Sequence, residues 1–124
     1  MKYACLVYVD ETQLDALTDE EQQRLERDGA ELERELRRSG HLVHAELLAP
    51  IRTATSLRLR RGEISMCDGP VLEAPTQLGG VYVIDARDLN EALRLGARIP
   101  AGRYGAIEVR PLRRAPGNVA LGAG

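Results

Sequence analysis

From Lys2 to Val9 (KYACLVYV) apolar residues occupy both faces of a β-rich run, the pattern of a central strand covered on two sides. Residues 10–17 read as a polar connection. Thr18 followed three residues later by Glu21 forms a capping box, which starts a helix. Leu25, Leu32 and Leu36 then fall on one stripe, charged residues cover the rest, and Ser39-Gly40 supplies the stop. Gly29 inside this helix costs about 1 kcal/mol against Ala. From His41 to Ala49 the chain alternates: Val43, Ala45 and Leu47 form one face, Leu42, His44, Glu46 and Leu48 the other.

After Pro50, the runs Thr53 to Arg60 and Glu63 to Cys67 flank Arg61-Gly62, a β-hairpin signature. Asp68-Gly69-Pro70 breaks it, and Val71 to Gln77 is a loop. Leu78 to Ala86 predicts another strand, in which Gly79-Gly80 allows a bulge or a close backbone approach. Asp88 with Glu91 caps a second helix carrying Leu89, Ala92, Leu93, Gly96 and Ala97, which ends at Ile99-Pro100. Gly105 to Leu112 alternates as a last strand, and residues 113–124 have little to bury, the composition of a mobile tail. With the hairpin set aside the order is βαββαβ. This is the α+β split βαβ pattern, with two helices on one face of a four-stranded antiparallel sheet.

The 124 residues suit one domain, expected over residues 1–112. Without Trp or Phe and with four Tyr, the core is aliphatic. A net charge of −2 with no one-sign stretch offers nothing general to nucleic acid or anionic lipid. No apolar run approaches the ~20 residues of a membrane helix, and no signal-peptide organisation opens the chain, so a cytoplasmic protein is expected. Cys5 and Cys67 lie in apolar strand-like segments and are expected as two reduced, buried thiols. Helices on one side leave a second sheet face that water cannot fully cover, which predicts an isologous homodimer.

Several residues could carry chemistry on that face. His44 and Glu46, two apart, are either an acid/base pair or a solvated, dimer-contact pair. Glu108 and Arg110 point the same way, Arg110 toward an anionic ligand group, and Tyr82 either offers a phenol or fills the core. Asp68 either takes backbone N–H groups in its turn or, with Glu73, closes a loop over the cavity mouth. His41 reads as a charge partner for the first helix's C-terminus. His44, Glu46 and Asp68 lack diagnostic ligand spacing, so no metal is expected, and no P-loop or dinucleotide fingerprint calls for another cofactor.

The segments KYACLVYVDE, GHLVHAELLAP, TATSLRLRRGEISMCDGP, QLGGVYVIDARDLNEAL and IEVRPL together resemble the YCII-related family, in particular its DGPF-type branch, with Val71 where Phe is usual. The resemblance spans residues 2–112 and implies ferredoxin-like subunits paired into a dimeric α+β barrel. Some relatives are lyase-like enzymes relying on a His and an Asp. Those positions align with Gly29 and the neighbourhood of Ile99, so lyase or isomerase chemistry here would need Glu46 or Asp68 as proton acceptor. The implied function is small-molecule binding in a dimer cavity lined by His44, Glu46, Tyr82, Glu108 and Arg110. The alternative is a non-enzymatic interaction module acting through the hairpin in transcriptional regulation, by analogy with relatives linked to sigma factors.

Overall fold

The computed structural model describes residues 1–113. The expected tail, apart from Arg113, lies outside them. Strand β1 (Lys2–Val9) is followed by α1 (Glu11–Asp15) and α2 (Asp19–Arg38), then β2 (Leu42–Leu47), the hairpin β3 (Thr55–Arg60) and β4 (Glu63–Asp68), β5 (Gln77–Asp85), α3 (Leu89–Gly96) and β6 (Gly105–Pro111). Short 3-10 turns at Ile51–Thr53 and Pro100–Tyr104 join β2 to β3 and α3 to β6. The main sheet runs β2-β5-β1-β6 and its neighbours are all antiparallel, while β3 and β4 pair only with each other. This is the ferredoxin-like α+β arrangement that the element order called for.

Local chemistry sets the helix starts. Thr18 Oγ1 accepts from Glu21 N at 3.1 Å while Thr18 N donates to Glu21 Oε1 at 2.9 Å, so the capping box is closed. Asp88 accepts from Glu91 N at 2.9 Å, and Arg87 N donates to Glu91 Oε1 at 2.8 Å. Those backbone donors hold both Glu21 and Glu91 below the usual carboxylate range. A depressed carboxylate contributes stability above its unfolded pKa and loses it as pH falls through the folded value. Melting temperature is therefore expected to drop on acidification below the ordinary Glu value of 4.5, with part of that slope absent in Glu21→Gln and Glu91→Gln.

Tyr3, Cys5, Val7 and Val9 of β1 and Tyr82 and Ile84 of β5 are buried with Leu32 and Leu36 of α2 and Ala92 and Leu95 of α3 in one cluster. Both long helices thus cover the same sheet face. Against expectation, α3 buries Ala92, Leu95 and Gly96 and leaves Leu89 and Leu93 exposed, so its packed stripe is rotated from the one read in the sequence. The other sheet face carries Ala4, Leu6, Val81 and Val83, all half-buried, with no helix of the described residues over it.

Two bulges decide which side chains face where. Pairing between β2 and β5 shifts between Leu42 and His44, leaving Val43 without a partner. Because side chains alternate with period two, that extra residue reverses the faces before it. Leu42, expected on the uncovered side, instead packs with Ala45 against the core, and Val43, expected toward the helices, is exposed. The second shift, between Val7 and Tyr8, leaves Gly79 as the unpaired residue, where a Cβ would lie 2.8 Å from Val9 Cγ2. The Gly79-Gly80 pair therefore provides both a bulge and a close approach.

The cysteines also differ from expectation. Cys5 is fully buried, and burial pushes its thiol pKa up to about 11, but Cys67 on the hairpin is exposed. The hairpin lies outside the main sheet, and every residue of β4 is exposed. A thiol reagent at pH 8 is expected to titrate one group per native chain, located at Cys67, and two after denaturation.

Candidate functional site

α2 is twenty residues long, yet its two buried side chains, Leu32 and Leu36, both lie in its C-terminal half. The N-terminal half spans a cavity of about 470 Å³ against the sheet, within the ~300–1,000 Å³ typical of small-molecule sites. Its sheet side is formed by Val7, Val9, Gly79 and Tyr82, its α2 side by Leu25, Gly29 and Ala30, and its flanks by Leu14, Leu47, Leu48, Pro50 and Ala101. Leu48, expected over the uncovered sheet face, lies here instead. The polar lining is Glu11, Asp15, Gln22, Glu26 and Glu33 with the Tyr82 phenol.

Tyr82 is 3% exposed, and its hydroxyl makes no hydrogen bond to any described residue. Burial, followed by the nearby Glu33 carboxylate, pushes its pKa up, so the phenol stays protonated and able to donate at neutral pH. Glu11 Oε2 accepts from Ile51 N at 2.9 Å and so ties α1 to the segment after β2. Glu33 Oε1 lies 3.6 Å from the Arg37 guanidinium one turn on. Asp15 and Glu26 have no ionic partner among the described residues.

Gly29 sits in mid-helix, and a Cβ built on it meets nothing within 4 Å. Alanine would fit there and add about 1 kcal/mol of helix stability, so the glycine keeps a gap open at a thermodynamic cost. Sequence reasoning registered that cost. It could not see that the missing side chain faces a cavity.

The residues singled out from the sequence do not form one site. Of His44, Glu46, Asp68, Glu73, Tyr82, Glu108 and Arg110, Tyr82 alone lines the cavity. It points to the helix side, because β5 buries Gly80, Tyr82 and Ile84 there. His44 and Glu46 do share the uncovered face, with Nε2 2.8 Å from Oε2, and both are largely exposed. Glu108 and Arg110, 3.8 Å apart, share that face but sit on the opposite edge strand. Three strand spacings separate the two pairs, roughly 14 Å. Asp68 ends β4 opposite Thr55, and Glu73 lies in the exposed β4–β5 loop. His41 Nδ1 is 2.8 Å from Ser39 Oγ at the α2 C-terminus, and its Nε2 is 3.6 Å from Glu91.

Among the described residues no three His, Cys, Asp or Glu side chains are grouped to hold an ion. No described helix is long and apolar enough to cross a membrane. An uncharacterised protein of Rhizobium meliloti (strain 1021) is 38% identical over 114 residues, covering 90% of this chain and 92% of that protein. The profile of the YCII-related domain matches residues 1–116. With the ferredoxin-like sheet already in place, that match over nearly the whole chain shows that it belongs to the YCII-related domain family.

Proposed function

We propose that this chain binds a small molecule in the cavity beneath α2, as a homodimer joined through the uncovered sheet faces. Tyr82 is the observation that carries the binding reading: a phenol almost wholly buried, without a partner among the described residues, in the apolar depth of the cavity. No described side-chain oxygen or nitrogen is both fully buried and unpaired, so the Tyr82 hydroxyl reaches accessible space in the cavity, where a ligand can accept its proton. The open space at Gly29 supports the same reading. Lyase or isomerase chemistry at His44, Glu46 and Asp68 forms no part of the proposal, because none of them lines the cavity.

An NMR screen of small aromatic fragments tests it. Ligands are expected to shift the amides of Val7, Gly79, Tyr82 and Ala101, and those that accept from the phenol are expected to bind about tenfold more weakly to Tyr82→Phe. Shifts confined to Leu6, Val81 and Val83 would put the ligand on the uncovered face and end the reading.

The dimer rests on the pattern of that face. Sheet register aligns one row as His44, Val83, Ala4 and Arg110 and the next as Glu46, Val81, Leu6 and Glu108. A two-fold axis running across the strands between these rows sets His44 against the partner's Glu46 and Arg110 against the partner's Glu108, around an apolar centre. Sedimentation is expected to give a dimer at micromolar concentration, and a single-chain particle there would contradict it. The Asp68-Gly69-Pro70 turn, with Gly69 at a φ of 108, supports placement in the DGPF-type branch.

The hairpin favours a second reading, that of an interaction module. Leu57 pairs with Met66 and Leu59 with Ile64, so these four side chains share one face, and each is more than half exposed. A lone two-stranded sheet is marginally stable in water, so a covering partner is expected. Hydrogen exchange separates the possibilities. Hairpin amides protected in the purified protein mean a second copy already covers them, and fast exchange there favours a different partner.

A further inference from the structure

The charge lining the cavity is one-sided. Four carboxylates, Glu11, Asp15, Glu26 and Glu33, border it, and among the described residues no Lys, Arg or His does. Composition does not account for this, because α2 alone carries five arginines. At helical spacing Gln22, Glu26, Gly29 and Glu33 fall on one stripe, so the helix turns two of its eight acidic side chains toward the cavity and none of its five arginines. Asp15 and Glu26 are exposed, which places them at the rim, whereas Val7, Val9 and Tyr82 are buried in the depth.

Resting on the reading of this cavity as a ligand site, we propose that it selects a cationic ligand. An ammonium or guanidinium group sits among the rim carboxylates, and the ligand's apolar body reaches inward to the Tyr82 phenol. Glu11 is already engaged by Ile51 N–H and Glu33 lies beside Arg37, so Asp15 and Glu26 are the carboxylates with charge to spare. Their uncompensated charge attracts a cation and opposes an anion at the same place. A hydrated divalent metal does not suit the rim, since no three donors are grouped there among the described residues. An organic cation uses separated carboxylates and apolar walls together. An anionic ligand, expected from Arg110 in the sequence, is disfavoured here because Arg110 stands on the other face of the sheet.

Three probes sharing one body and differing in one group decide the matter: 4-phenylbutylamine, 4-phenylbutanol and 4-phenylbutyrate, titrated into the full chain at pH 7 and followed by NMR. The amine is expected to bind about tenfold more tightly than the alcohol at low salt, with the carboxylate weakest. That advantage should shrink as ionic strength rises. In Asp15→Asn/Glu26→Gln the amine's advantage over the alcohol is expected to collapse. Both side chains are at the surface, and the salt titration of the unaltered protein stands as an independent reading should the variant fold poorly. Equal binding of amine and alcohol, or tightest binding of the carboxylate, overturns the cation proposal and leaves the cavity as a ligand site. Failure of all three to shift the cavity amides overturns the cavity reading itself.

Discussion

Gly105→Ala is expected to destabilise the protein by about 3 kcal/mol, at or above the upper end of typical overpacking losses. Gly105 opens β6 opposite Val9, where the two backbones lie so close that a Cβ would overlap the Tyr8 carbonyl and come within 2.9 Å of Val9 Cα. Those are main-chain atoms of the central strand, held by β5 on its other side, and they cannot swing away as a side-chain tip could. Relief would require moving β6 outward and losing part of its ladder with β1. Gly29→Ala makes the same chemical change with the opposite expected sign, a gain of about 1 kcal/mol, because space is open there and the helix gains propensity. Urea denaturation of both variants checks the pair. A Gly105→Ala loss under 1 kcal/mol would contradict the close approach.

Leu36→Ala is expected to cost about 3 kcal/mol, within the range for truncating a buried leucine. Leu36 is 2% exposed and, with Leu32, fixes the C-terminal half of α2 on the sheet. The N-terminal half reaches out over the cavity from that anchor, so the loss should reach the ligand site as well as stability. Leu25→Ala is the contrast. Leu25 lines the cavity and is only half-buried, so its truncation is expected to leave stability within about 1 kcal/mol while altering what the cavity holds. Denaturation midpoints with ligand titrations separate anchor from lining, and equal stability losses at the two leucines would contradict the division of α2 into a packed and a spanning half.

The architecture was legible because its signals are local. Thr18 and Glu21, Asp88 and Glu91, and Arg61-Gly62 each act within four residues, and the expected elements form where they stand. The five-residue α1 was missed because a single turn capped by Asp10 differs little in composition from a polar loop. Side-chain direction along β2 was misread because a bulge at Val43 leaves no composition signal, yet one added residue moves Leu42 from one face to the other. For α3, leucines at 89, 93 and 95 permit two overlapping stripes, and contact with β6 chose the one containing Leu95.

The candidate site was less legible for a related reason. His44 and Glu46 were correctly placed on one strand face, and they touch, but a strand pattern does not reveal that Glu108 and Arg110 stand at the far edge. Tyr82 was read either as a phenol offered to the pocket or as a core residue, and it lies in the core on the helix side of the sheet. The cavity depends on residues far apart in sequence, Val9, Gly29, Leu48, Gly79 and Ala101, whose meeting is a tertiary event. Neither spacing nor composition along the chain marks it.

Filling that space puts the account to its most direct test. Gly29→Leu sends a branched side chain toward the cavity from a Cβ position that meets nothing within 4 Å, in a helix that gains from the change. Dissociation constants of 4-phenylbutylamine for Gly29→Leu and for the unaltered protein are the measurement. The account expects binding to fall by at least about tenfold while thermal stability holds or rises. Unchanged affinity in a stably folded Gly29→Leu protein would contradict it, for the ligand would then sit somewhere other than beneath α2.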